Sequence, residues 1–220
     1  MTMCHEPIRS RQHELLIINA TMGVVAGLFV LQRFMTKLFM KLSFGLDDLF
    51  IGLSLLLIIP CIVINVDGLI PNGLGRDIWT VQPDQITKFG LYFYIMTILY
   101  FTLQTFLKLA MISFFLRIFP TRGVRRTLYA TAAFNCLYGL VYIFIGVFQC
   151  QPINLFWNRW QQKEEAGKCL NINYMTWSSG AFTVALDIWI LSIPLSQLNK
   201  MNLDWKKKIG VGIMFSVGLL

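Results

Sequence analysis

The first thing this sequence has little of is charge. Only 14% of its 220 residues are Asp, Glu, Lys or Arg, and 56% are hydrophobic. A soluble domain carries about 25% charged residues, so a water-facing surface of ordinary area is excluded, and with it disorder, a coiled coil or an ordinary cytosolic enzyme. Histidine is nearly absent: His5 and His13 both lie near the amino terminus. The five cysteines (Cys4, Cys61, Cys136, Cys150, Cys169) form no CxxC pair and no Cys/His cluster, so no metal site is expected. No internal repeat, low-complexity tract or soluble domain interrupts the chain.

What is present is a series of long apolar runs. They cover 15–32, 49–66, 89–116, 127–148 and 174–198, with a shorter run at 209–220. This pattern predicts an all-α, polytopic transmembrane helix bundle preceded by a short extracellular tail, residues 1–14. The last run has 12 residues, about 18 Å of helix against a hydrocarbon core of about 30 Å, so the expectation is a chain truncated within helix six.

The connections set orientation. The loops at 33–48, 117–126 and 199–208 hold 11 Lys and Arg in 36 residues, whereas the tail and the loops at 67–88 and 149–173 hold 7 in 61. The denser set is expected in the cytosol and the amino terminus outside, with the plasma membrane as location. This also accounts for the net charge of +8 without nucleic acid. The bilayer is the expected partner. The basic groups Arg122/Arg125/Arg126 and Lys206/Lys207/Lys208 attract anionic lipid or receive a cytosolic signalling partner. Cys150 and Cys169 bracket an outer loop, either as a disulfide or as two free thiols. Trp79, Trp157, Trp160 and Trp177 fall on the same side, as an interfacial belt would.

Two ionisable residues sit inside apolar runs, where such groups are functional candidates by default. Lys108 lies nine positions before Arg117 and Asp187 thirteen before Lys200, which puts them within about 6 Å in depth on parallel helices. A lysine side chain leans toward its helix N-terminus, the direction that closes this gap. The third helix has 15 Leu, Ile and Phe residues to offset its lysine, whereas the fifth has only 9 such apolar residues, Val included. Asp187 therefore needs a partner more than Lys108 does. Thr97, Gln104 and Lys108 share one helical face, and Thr176, Gly180, Thr183 and Asp187 another. Facing stripes of this kind line a small-molecule cavity, or else form a structural ion pair with back-bonded hydroxyls.

Asp47 and Asp48 open the second helix. They read as inner-face carboxylates contacting Lys108 or Arg117, or as a helix cap, which is the simpler role for Asp47 in particular. The Gly73-Leu74-Gly75-Arg76 segment is an outer turn rather than a phosphate loop, having no preceding strand and no following Lys-Ser/Thr.

Several segments recur together in one order: Gly45-Leu46-Asp47-Asp48, Gly73-Leu74-Gly75-Arg76 with Trp79, Lys108 through Phe114-Phe115-Leu116-Arg117-Ile118-Phe119, Cys150-Gln151-Pro152 with Phe156-Trp157, Gly167-Lys168-Cys169, Leu186-Asp187 with Ile193-Pro194, and Lys207-Lys208-Ile209-Gly210. In this the chain resembles the fungal rhodopsin-domain integral membrane proteins, the family of the satratoxin-cluster membrane protein. The resemblance implies a seven-helix, receptor-like architecture with an outside amino terminus. It implies no chromophore, since the helix that would carry a retinal lysine lies beyond this sequence. No Asp-Arg-Tyr triplet ends helix three, so coupling to a G protein has no motif behind it. The functional expectation is a receptor-like sensor of a small extracellular or membrane-dissolved ligand. The alternatives are a membrane enzyme or accessory protein of secondary metabolism, or a transporter. An acid salt-bridged to a lysine is a poor proton donor, and the matched broken helices of a transporter are not seen.

Overall fold

A computed structural model describes residues 10–200 apart from 42, 44 and 162–166. The apolar run at 209–220 and the basic group at 206–208 lie outside the described residues. The described chain is an all-α bundle with five helices long and apolar enough to cross a membrane. They are α1 (Gln12–Phe39), α2 (Leu46–Val63, continued by wider π turns over Ile64–Leu69), α3 (Pro83–Ile118), α4 (Arg122–Val147) and α6 (Ile172–Lys200). Between α4 and α6 stand two-residue strands β1 (Cys150–Gln151) and β2 (Lys168–Cys169) and the single-turn α5 (Leu155–Asn158).

Each of the five begins before its apolar run, and in α1 and α4 charged residues lie within the added turns. The α1 helix continues seven residues past 32 because Arg33 and Lys37, four apart, turn to one side toward Asp47 and Asp48. Likewise α4 begins at Arg122 and takes all three basic residues of that group into its first turns. Charge ends a hydrophobic run; it does not end a helix. The connections at the basic end of the bundle, called the inner end after the expected orientation and the opposite one the outer end, thereby shrink from the predicted 33–48 and 117–126 to a few residues each. At the other end α1 starts at Gln12, and Ser10 bridges to Arg76.

The centre of the bundle is α3, which packs against α2, α4, α5 and α6. Its 36 residues span about 54 Å, well over the hydrocarbon thickness. Pro83 stands at its first turn, where the missing N–H costs nothing, and the Gln82 N–H donates to the Gln85 side chain at 3.1 Å. A core of Ile112, Phe115, Phe119, Val124, Leu128, Ile190 and Ile193 joins α3, α4 and α6 in their inner halves.

The buried face of α4 is Val124, Leu128, Thr131, Asn135, Gly139, Tyr142 and Gly146, a helical stripe of mostly small or polar groups. Lipid tails are as apolar as leucine, so helix association in a membrane rests on close packing and hydrogen bonds, and small residues allow the approach. At Gly139 α3 and α4 approach closely: a Cβ there would run into the Thr105 hydroxyl and stand 3.0 and 3.1 Å from two Thr105 carbons. One turn away, the Asn135 side chain donates to the Thr105 carbonyl at 3.1 Å.

The α1 helix buries no residue and is instead fastened at both ends by polar contacts. At the outer end the Arg11 N–H donates to the Gly75 carbonyl at 2.9 Å, the Gln12 amide donates to the Ile70 carbonyl, and Arg76 Nε donates to Gln12 Oε1 at 2.8 Å. Gly73 and Gly75 have φ of 121° and 80°, so only glycine forms this turn without strain.

Gly139→Ala should lower the stability of the detergent-solubilised protein by roughly 1–3 kcal/mol, the cost of overpacking. Adding Thr105→Ala should restore much of the loss. Denaturant unfolding of both variants checks this; a single variant as stable as wild type would contradict the close α3–α4 contact.

Candidate functional site

At mid-depth, Lys108 Nζ donates to Asp187 Oδ1 and lies 3.5 Å from the Thr183 carbonyl. The two partners are unequally placed: the Lys108 side chain is 4% exposed and that of Asp187 46%. The lysine is enclosed between α3 and α6, while its counter-ion keeps a side that no described residue covers. Around the pair runs a polar seam. Tyr138 on α4 donates its hydroxyl to the Ser179 carbonyl at 3.0 Å and lies 3.1 Å from the Thr183 hydroxyl. Tyr142 reaches Ser178 at 3.1 Å, and the Trp189 indole N–H donates to the Thr131 hydroxyl at 3.1 Å.

Gln104 does not join the ion pair; its amide donates to the Tyr100 hydroxyl at 3.3 Å on the same helix. Thr97 and Thr176 bond back to the carbonyls of Phe93 and Ile172 in their own helices. The two stripes are therefore bridged at Lys108, Thr183 and Asp187, with Tyr138 as the residue that sequence reasoning missed. Tyrosine hydroxyls inside apolar runs are the signal that could have found it.

At the inner end, Asp47 and Asp48 are nearly enclosed, and three cations surround them. Arg33 reaches Asp47 at 2.5 Å and Asp48 at 3.2 Å; Lys37 pairs with both; Arg117 lies 3.7 Å from Asp47. The contact expected with Arg117 is made. Lys108 takes no part, because it is paired with Asp187 on the far side of α3. The capping role falls to Asp48 instead of Asp47: its carboxylate accepts the Gly45 N–H at 3.0 Å across the first turn of α2. Arg117 also ties the α1–α2 connection, donating to the Ser43 carbonyl and hydroxyl at 2.9 Å each.

At the outer end, Cys150 and Cys169 are joined as a disulfide, 19 residues apart, and pair across the β1–β2 ladder. The loop they close folds back over α3: Phe156 and Trp157 pack on Tyr94, and the Trp160 indole donates to Thr87 at 3.0 Å. Trp79 and Trp177 remain exposed. Among the described residues no group of three or more His, Cys, Asp or Glu side chains is placed to hold a metal ion.

A membrane bundle with this outer disulfide loop and inner Asp-Asp helix start is matched by one family profile, the fungal rhodopsin domain, over residues 32–220. The chain belongs to the fungal rhodopsin domain family. Among curated relatives of this fungal rhodopsin-domain chain is an Emericella nidulans protein described as a SAT4 family membrane protein. The two are 26% identical over 151 residues, 67% of this chain and 38% of that protein. A second is the Gibberella zeae fugralins biosynthesis cluster protein 2, 25% identical over 150 residues, 64% of this chain and 36% of that one. The fungal rhodopsin-domain chain thus matches less than two fifths of the length of either relative. No solved structure matches it.

Removing the Tyr138–Thr183 contact by Tyr138→Phe or Thr183→Val should each cost about 0.6–1.7 kcal/mol, the range for hydrogen bonds between membrane helices. The double variant should cost little more than the worse single one, since one bond is lost in common. Full additivity in unfolding measurements would contradict the shared contact.

Proposed function

We propose that this fungal rhodopsin-domain protein is a receptor-like sensor, in which the polar face of α3 and α6 takes a small ligand and the basic inner end reports its presence. The observation that carries this reading is the Lys108–Asp187 pair itself, two ionisable groups inside membrane-spanning helices and joined to a seam of hydroxyls through Thr183 and Tyr138. Ionisable residues at lipid depth are costly and mark ligand or ion sites by default. The carboxylate offers an acceptor to a ligand with a hydrogen-bond donor or cationic group and an apolar remainder. Lys108, Asp187 and Thr183 are its first contacts, with Gln104 and Tyr100 on the adjoining face.

The reading has the disulfide loop outside, the Arg/Lys-rich end in the cytosol and the plasma membrane as location. Two independent arguments support it: the density of basic residues, and the preference of disulfides for oxidising compartments. A seven-helix bundle completed beyond the described residues belongs to the same reading. Coupling inward would run through α3, which carries Lys108 at mid-depth and Arg117, with its bonds to Ser43 and Asp47, at the inner end. The name of the Gibberella zeae relative favours a second reading, an accessory membrane protein of a secondary-metabolite cluster.

The test is a panel of lipophilic amines and alcohols applied to the reconstituted full chain. It is read by thermal stabilisation and by thiol labelling of Thr121→Cys at the α3–α4 turn. The sensor reading predicts a compound that stabilises wild type, loses at least tenfold in affinity with Asp187→Asn, and changes the labelling rate. Stabilisation that survives Asp187→Asn, or that leaves labelling unchanged, contradicts it. Loss of a metabolite on gene deletion, without any such ligand response, favours the accessory role.

A further inference from the structure

Between α1 and α3 at their inner ends lies an open cleft of about 630 Å³. Arg33, Lys37 and Arg117 line it together with Asp47, and Phe29, Phe114 and Ile118 supply its apolar wall. We infer that this cleft is a binding site for one anionic glycerophospholipid, whose phosphate meets Arg33 and Arg117 while an acyl chain lies along Phe29 and Phe114.

Charge is the first argument. Among the described residues three cations face the two carboxylates Asp47 and Asp48, so the described group holds one positive charge that its own acids do not balance. The carboxylates are 3% exposed, but the Arg33 and Arg117 side chains are 33% and 41% exposed, so the uncompensated charge is presented at the surface of the cleft. An anion arriving there meets guanidinium edges, which match phosphate geometry.

The second argument is the polarity gradient. Phe29 stands one turn deeper than Arg33 on α1, about 6 Å, and Phe114 lies three residues deeper than Arg117 on α3. The guanidinium of Arg33 also sits 5.7 Å over the Phe114 ring, where the two kinds of surface meet. Cationic at the boundary and aromatic below it, the cleft has the amphipathic order of a phospholipid, which a free phosphate lacks. Because α1 buries no residue of its own, a lipid wedged against α3 would add to the two polar fastenings that hold it. Basic pockets between transmembrane helices are a recognised way of holding anionic headgroups. The inference does not depend on the sensor reading.

The test uses the full chain in nanodiscs of phosphatidylcholine with a minor fraction of phosphatidic acid, and counts co-purifying lipid by native mass spectrometry. Phosphatidic acid should be retained over phosphatidylcholine. Gln32→Glu, at an exposed position lining the cleft outside the carboxylate cluster, should cut that retention about fivefold, the factor represented by one basic charge near an anionic surface. Arg125→Gln, elsewhere on the inner end, should leave it unchanged, and inorganic phosphate should not displace the lipid. Equal retention of the two lipids, an unaffected Gln32→Glu protein, an Arg125→Gln protein that loses the lipid, or displacement by phosphate would each overturn the site. The elution profile of each variant separates loss of binding from loss of fold.

Discussion

An aspartate at lipid depth, on a helix with too few large aliphatic residues to carry it, obliges the chain to bring it a cation, and the packing of α6 on α3 answers that demand. Placing an uncompensated Lys or Asp at the centre of a membrane helix costs roughly 3 kcal/mol on insertion scales. The third helix carries this cost on its own apolar content; the last described helix, with fewer large aliphatic residues, does not. Their meeting at Lys108 and Asp187 offsets part of both penalties and sets the depth at which α6 sits. From that register follow the Tyr138 contacts with Ser179 and Thr183 above it and the Ile190–Ile193 packing below.

The same economy governs the rest of the molecule. With so little charge available, ionic groups are concentrated at a few junctions between elements. The α1 helix has no buried face, yet Arg33 and Lys37 bind it to the start of α2, and Arg11, Gln12 and Arg76 bind it to the outer turn. Between α3 and α4, where no charges meet, Gly139 lets the backbones approach and Asn135 supplies the hydrogen bond. Ionic, small-residue and hydroxyl contacts thus divide the task that a hydrophobic core performs in water.

Much of this was legible in the sequence, for physical reasons. Helices too apolar for water are recognisable from run length alone. The shared depth of Lys108 and Asp187 follows from helical rise, and the fungal rhodopsin-domain resemblance from motifs in fixed order. Less legible was whatever depends on which side of a helix a group faces. Arg33 and Lys37 read as loop residues because charge closed the apolar run, when in fact they continue α1. Asp48 rather than Asp47 caps α2, a choice made by backbone geometry that adjacent identical residues do not reveal. Gln104 shares a face with Lys108 but is satisfied by Tyr100 one turn away, and tyrosines counted as apolar carry much of the α4–α6 seam. The β1–β2 ladder is too short to leave any periodicity.

The central claim is that the Lys108–Asp187 pair docks α6 onto α3. A double-mutant cycle with Lys108→Met and Asp187→Leu, read by denaturant unfolding of the full chain in detergent, tests it most directly. With one partner gone the other charge is stranded, so each single variant should lose about 2 kcal/mol, the smaller part of what breaking a fully buried pair costs. The double variant should lie closer to wild type than either single one. Single effects that simply add would mean the two charges do not depend on one another, and the account of how this bundle is held would be wrong.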